Sequence, residues 1–174
     1  MYVGGAALHF DVLDWVWTIL PVAAIFGVGR LCRLPKSTGS VLGTFRPPGV
    51  AFAVVWSVLS VLLGFSWAVA SHEGPTGAVR SPLRYAGVCT TYGLLVAGLC
   101  MWTAAYSGAT GGSACWPGAT KQVGAYLFLP LFALLGMAFA QGNVLSNVLL
   151  APLGAWLLYA FAMTAGDILM SASR

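Results

Sequence analysis

Val50-Ala-Phe52-Ala-Val-Val-Trp56-Ser-Val-Leu-Ser-Val-Leu-Leu-Gly64-Phe-Ser-Trp67-Ala-Val-Ala70 runs without a single charged side chain. Its length suits a helix crossing a hydrocarbon core about 30 Å thick, which takes about 20 apolar residues. Inside lipid every backbone amide must be bonded within the protein, so a spanning segment is either a helix or a strand of a closed barrel. A barrel strand alternates lipid-facing and lumen-facing residues over about ten positions. The stretch from Trp56 to Gly64 does not alternate, so the segment reads as a helix.

Four further apolar segments flank it, at about 12–29, 85–106, 123–140 and 144–166. Across the 174 residues, 59% are hydrophobic and only 7% are charged. An ordinary soluble domain is about 45–50% apolar and about 25% charged. Twelve charged side chains, eight basic and four acidic, would not cover the surface of a water-soluble monomer. Disorder is excluded as well, because disordered chains are poor in apolar residues. The expectation is an all-α membrane protein, a bundle of five transmembrane helices forming one domain over 1–174. Pro21, Pro130 and Pro152 fall inside three of the helices. Each removes a backbone donor and bends its helix, which spanning helices tolerate because neighbours re-satisfy the freed carbonyl.

The charges carry topology. With five spans, Arg30, Arg33, Lys36, Arg46, Lys121 and Arg174 lie on one side of the membrane. Arg80 and Arg84 lie on the other, with Asp11, Asp14 and Glu73. The positive-inside rule then places loops one and three and the C-terminus in the cytoplasm, and the N-terminus outside. The net charge of +4 is thereby read as topology and not as a nucleic-acid surface. Cys32, Cys89, Cys100 and Cys115 contain no C-x-x-C pair and are read as small apolar side chains, not as a metal site or disulfide framework. The stretch Ser107 to Ser113 reads as a glycine-rich loop.

Catalytic signatures are missing: there is no H-E-x-x-H, no G-x-S-x-G and no phosphate loop. His9 and His72 have no third ligand nearby in sequence, so no metal is expected. No span carries an ionisable residue near its centre, which disfavours a proton-coupled pump. The spans are instead rich in aromatics. Trp15, Trp17, Tyr85, Tyr106 and Trp67 suit belts at the membrane surface. Trp56 and Trp156 sit deeper, where two indole faces suit a flat ligand.

Phe45 to Gly64 resembles the signature of the TspO/MBR family, the tryptophan-rich sensory proteins and the translocator protein or peripheral-type benzodiazepine receptor. The family pattern P-P-x-W-x-F-x-x-V-W-x-x-L-Y-x-x-M-G is matched in register by Pro47, Pro48, Phe52, Val55, Trp56, Leu59 and Gly64. Val50, Ser60 and Leu63 replace the family's Trp, Tyr and Met. In the third span Tyr92 and Trp102 keep the family's spacing, followed by Tyr106 and Gly108. In the fifth, Pro152, Ala155, Trp156, Tyr159 and Ala160 fit, with Met163 at the Leu position. The family's amide side chains fall on Leu95, Leu99 and Thr164, leaving the interior less polar than the family pattern.

The resemblance implies a tightly packed bundle, often a homodimer, in an organelle or cell-envelope membrane: the mitochondrial outer membrane in a eukaryote, the envelope in a bacterium. It implies a pocket for porphyrins or haem-pathway tetrapyrroles, sterols, and isoquinoline or benzodiazepine-type molecules, with no resident cofactor. By the resemblance, Trp56 and Trp156 flank the ligand. Leu95, Leu99, Trp102, Ala155, Tyr159 and Ala160 line it, and Pro47, Pro48 and Phe52 shape the entrance. No catalytic residue is assigned. Two other readings stand beside ligand handling: light-dependent porphyrin degradation, and a structural or assembly role with no small ligand.

Overall fold

The computed structural model describes residues 2–3, 6–7, 12–32, 49–72, 81–109, 115–116 and 119–172. Among these residues a two-residue antiparallel pair, β1 (Tyr2–Val3) with β2 (Ala6–Ala7), precedes six helices: α1 (Val12–Leu31), α2 (Gly49–His72), α3 (Pro82–Ala109), α4 (Lys121–Tyr126), α5 (Phe128–Gln141) and α6 (Val144–Ala172). With α4 and α5 counted as one crossing, five helices are long and apolar enough to span a bilayer. The helices form a ring in the order α1, α2, α6, α4–α5, α3, and α2 also touches α3.

Three boundaries differ from the hydropathy reading. The fourth span is two helices because Pro130 has no N–H to bond the carbonyl of Tyr126, one turn back, which interrupts the helix at Leu127. The third span continues through Ser107 to Ala109 instead of ending at Tyr106, because Ser107 is buried and its hydroxyl donates to the Cys32 carbonyl at 2.6 Å. The fifth span does not stop at Asp167. That carboxylate is buried within α6, with Lys121 Nζ at 3.7 Å. At its other end α6 is capped by Asn143, whose Oδ1 accepts from the Ser146 N–H at 2.9 Å.

Lipid is as apolar as leucine, so helix association in a bilayer rests on close packing and on hydrogen bonds between helices. Both are present. Gly64 of α2 lies against the backbone of α1. A methyl group on Gly64 would stand 2.6 Å from Cα of Thr18 and 2.8 Å from its carbonyl carbon, and closer still to its carbonyl oxygen. The Thr18 hydroxyl is turned away onto its own helix, donating to the Asp14 carbonyl at 2.8 Å. This approach brings Trp17 face to face with Trp67, with ring centroids 4.7 Å apart. Trp67 in turn stacks on Tyr92 at 5.8 Å.

Hydrogen bonds stitch the same end. Ser66 donates to the Ser146 carbonyl at 2.9 Å and therefore accepts from the Tyr92 hydroxyl at 2.8 Å, which joins α3, α2 and α6. Trp17 Nε1 donates to the Tyr85 hydroxyl at 3.1 Å. His72 Nε2 donates to both carboxylate oxygens of Asp14 at 2.9 Å, closing α1 on α2. Outward faces carry large apolar side chains such as Ile19, Val58, Leu129 and Leu158, as a lipid-solvated bundle requires.

Gly64→Ala is expected to lower thermal stability in detergent micelles by about 1–3 kcal/mol, the usual cost of overpacking. Gly136→Ala should be neutral or slightly stabilising, because nothing lies within 4 Å of that position and alanine is the better helix former. Circular-dichroism melts of the two variants check this; equal effects would show that no backbone contact limits position 64.

Candidate functional site

The face of α3 bearing Leu95, Leu99, Trp102 and Tyr106 repeats at helical spacing and points into the bundle. Leu95 and Leu99 are fully buried. Trp102 and Trp56 are each 4% exposed, with centroids 6.1 Å apart across the α2–α3 contact. Tyr106 stacks on Trp102 at 5.3 Å, and Phe128 of α5 meets Trp102 edge-on at 5.5 Å. Phe128 continues to Phe132 at 6.0 Å and to Phe161 of α6 at 5.5 Å. Four helices thus contribute to one aromatic cluster. Trp56 and Trp102 each sit seven residues from the adjoining helix end, and Phe128 seven beyond the start of α4, so the cluster lies about 10 Å below the end that bears loops one and three.

One polar atom in this cluster has no use in the fold. Trp102 Nε1 is buried and has no hydrogen-bond acceptor. A buried unsatisfied donor costs about 1–3 kcal/mol. Trp67 Nε1 is in the same condition, but Trp67 is closed by stacking on Trp17 and Tyr92.

The fifth span divides the expected ligand wall in two. Leu153 and Leu157 are buried, and Trp156 and Ala160 are half-buried against the core. Ala155 is exposed and Tyr159 is 37% exposed on the outer face. The i, i+4 spacing explains this: 156 with 160 and 155 with 159 form two adjacent stripes on one helix. Trp156 and Tyr159 touch each other at 5.3 Å. The entrance residues Pro47 and Pro48 and the side chain of Phe52 lie outside the described residues.

The cysteine reading needs correction. Cys32 and Cys115 form a disulfide across 83 positions of sequence, with Cα atoms 5.1 Å apart. Cys32 follows the end of α1, and α1 packs along α3, so Cys115, six residues past the end of α3, lies within its reach. No local spacing encodes that meeting. Cys89 and Cys100 are free and half-buried, in keeping with small apolar roles. Among the described residues no cluster of three His, Cys, Asp or Glu could hold a metal ion.

A family model described as TspO/MBR matches residues 17–169. The chain belongs to the TspO/MBR family. It is accordingly a multi-pass integral membrane protein with five spans. Comparison with curated proteins and comparison with solved structures each returned no match.

In this TspO/MBR protein the positions expected to carry amides offer no polar group to the interior. Leu95 and Leu99 are core residues, and the Thr164 hydroxyl donates to the Ala160 carbonyl of its own helix at 2.8 Å. Ser60, at the family's Tyr position, likewise donates back to Trp56 O at 2.7 Å. The polar groups that the rings bring to the cluster are therefore the indole N–H groups of Trp56 and Trp102 and the Tyr106 hydroxyl. Sequence reading missed Phe128, Phe132 and Phe161. The i, i+4 spacing of the first two was visible, but their meeting with Phe161 of another helix was not.

Trp102→Phe should leave the melting temperature of the ligand-free protein unchanged or raised, since it removes the unpaired N–H while keeping an aromatic ring. Trp102→Ala should cost about 3–5 kcal/mol. Thermal melts of both variants in micelles separate the two effects.

Proposed function

We propose that this TspO/MBR protein binds a flat, largely apolar ring molecule within the membrane, with a tetrapyrrole as the primary candidate. Sterols and isoquinoline or benzodiazepine-type molecules are the other ligand classes that the family resemblance implies. The handling of such molecules, in tetrapyrrole or sterol traffic and stress response, follows as its role. The observation that carries the reading is the buried, unpaired N–H of Trp102 within an aromatic cluster drawn from α2, α3, α5 and α6.

The chemistry is that of an amphipathic aromatic wall. Indole and phenol rings offer faces to a macrocycle and edges to its rim. The Trp102 N–H offers one donor, which suits a ring nitrogen, a carboxylate or a ketone. The rings are packed against one another, so α2 and α3 part at Trp56 and Trp102 to admit a ligand. Ring–ligand contact then replaces ring–ring contact. Trp156 and Ala160 close the wall from α6, and the family resemblance assigns the entrance to Pro47, Pro48 and Phe52. Ala155 and Tyr159 lie on the outer stripe, where a second copy of the chain or lipid meets them. Leu95 and Leu99 form an apolar floor, so orientation rests on the indole donor and not on side-chain amides.

Titration of purified protein with protoporphyrin should give saturable quenching of tryptophan fluorescence. Trp102→Phe should weaken binding about five- to tenfold, the worth of one hydrogen bond of roughly 1–1.5 kcal/mol. Trp56→Ala should weaken it further. Saturable binding that none of the Trp56, Trp102 and Trp156 substitutions alters would sink this site. No binding and no thermal shift across a porphyrin, sterol and drug panel would leave the structural role standing. Loss of porphyrin absorbance in light that requires Trp56 would favour the degrading enzyme.

A further inference from the structure

The Cys32–Cys115 bond sits on an end of the bundle where a permanent disulfide is unexpected. Arg30, at the end of α1, and Lys121, at the start of α4, lie on this end. With Arg33, Lys36, Arg46 and Arg174, they favour the cytoplasm for it. Cytoplasmic thiol pools keep cysteines reduced, and disulfides that form there are mostly transient or redox-sensing. We infer that Cys32 and Cys115 form a reversible redox clasp that controls ligand access to the Trp56–Trp102 cluster. The control of access rests on the ligand-binding reading above; the reversibility of the bond does not.

Three observations support the clasp. The two sulfurs are unequal: Cys115 is exposed, whereas Cys32 is 1% exposed. An attacking thiolate therefore reaches Cys115 Sγ, and Cys32 is the leaving group. The bond also borders an apolar cleft of about 270 Å³ between α1 and α3, walled by Val28, Leu31, Met101 and Ala104. Finally, the clasp is coupled to the site. Ser107 donates to the Cys32 carbonyl at 2.6 Å, and its neighbour Tyr106 stacks on Trp102. The end of α1 is thereby held against α3 about one turn above the aromatic cluster.

The chemistry balances with ordinary cellular reagents. A peroxide oxidises the Cys115 thiolate to a sulfenic acid, its O–O bond breaking. The Cys32 thiol then attacks that sulfur, the S–S bond forms and water leaves. In the reverse direction the thiolate of a small thiol such as glutathione attacks Cys115 Sγ, giving a mixed disulfide and a Cys32 thiolate that takes up a proton. A second small thiol attacks the sulfur of the first, releasing Cys115 and a small-molecule disulfide. Two small thiols are consumed for each protein disulfide opened. The closed clasp holds in place the end of α3 that carries Trp102 and Tyr106, so the oxidised protein is the tighter binder.

The test uses the full chain in nanodiscs, equilibrated with glutathione buffers of graded reduced-to-oxidised ratio and then alkylated for mass spectrometry. Wild type should pass from two titratable thiols to four within cytoplasmic ratios, since Cys89 and Cys100 are free throughout. A bond still intact at the most reducing ratio overturns the clasp and marks a permanent structural disulfide. Four thiols at every ratio overturn it as well. In parallel, the protoporphyrin dissociation constant should rise about fivefold on reduction of wild type. In Cys115→Ser, whose altered side chain is exposed, it should stay at the reduced value in both buffers. Equal affinity in both redox states of wild type overturns the control of access. Absence of porphyrin binding in either state overturns the ligand reading and the control with it, while the thiol count still decides whether the bond is reversible.

Discussion

The contact between Gly64 and the backbone of Thr18 is the constraint on which the rest of the bundle depends. Lipid supplies no hydrophobic force between helices, so α1 and α2 are held by how nearly their backbones approach. With hydrogen as its side chain, Gly64 lets the Thr18 carbonyl region sit where any Cβ would collide. The approach sets Trp17 upon Trp67 and carries that stack through to Tyr92. It also draws the first turn of α1 to the last turn of α2, where Asp14 meets His72. A carboxylate near a membrane surface is tolerable there because two helices share it.

Hydrogen bonds between helices concentrate at one end of the bundle. At the end bearing Asp14, the Tyr92, Ser66 and Ser146 groups form a chain of donors and acceptors across three helices. Satisfied networks of this kind rigidify a core. Towards the other end the aromatic cluster carries the buried Trp102 N–H without an acceptor. Trp67 Nε1, at the networked end, is without an acceptor too, but its ring is enclosed by stacking on Trp17 and Tyr92. The hydroxyls of Thr103 and Thr164 add nothing to that site, because each donates to the carbonyl one turn back in its own helix.

Membership in the TspO/MBR family fixes the setting, while particular residues adapt the interior. Leu95 and Leu99 make the floor apolar, and Ser60 turns back on its own backbone. The pattern retains aromatic surface and gives up side-chain amides. On the proposed reading, such an interior would select a ligand by ring shape more than by polar matching. The disulfide between Cys32 and Cys115 adds a covalent tie at the end where α1 and α3 meet.

The five spans, and the residues of α2 that identify the family, were legible from sequence because bilayer rules are local. A helix must be about 20 residues long and must satisfy its own backbone, and both conditions act within one segment. The depth of Trp56 was readable for the same reason. What tertiary structure alone decided concerns contacts between segments. Nothing near Cys32 in sequence names Cys115, nothing near Gly64 names Thr18, and nothing near Phe128 names Phe161. The split of the fifth span, with Trp156 turned inward and Tyr159 outward, depends on how α6 is rotated in the bundle. Its hydrophobicity could not show that rotation, since a helix in lipid is apolar on every side and only its neighbours distinguish one face from another.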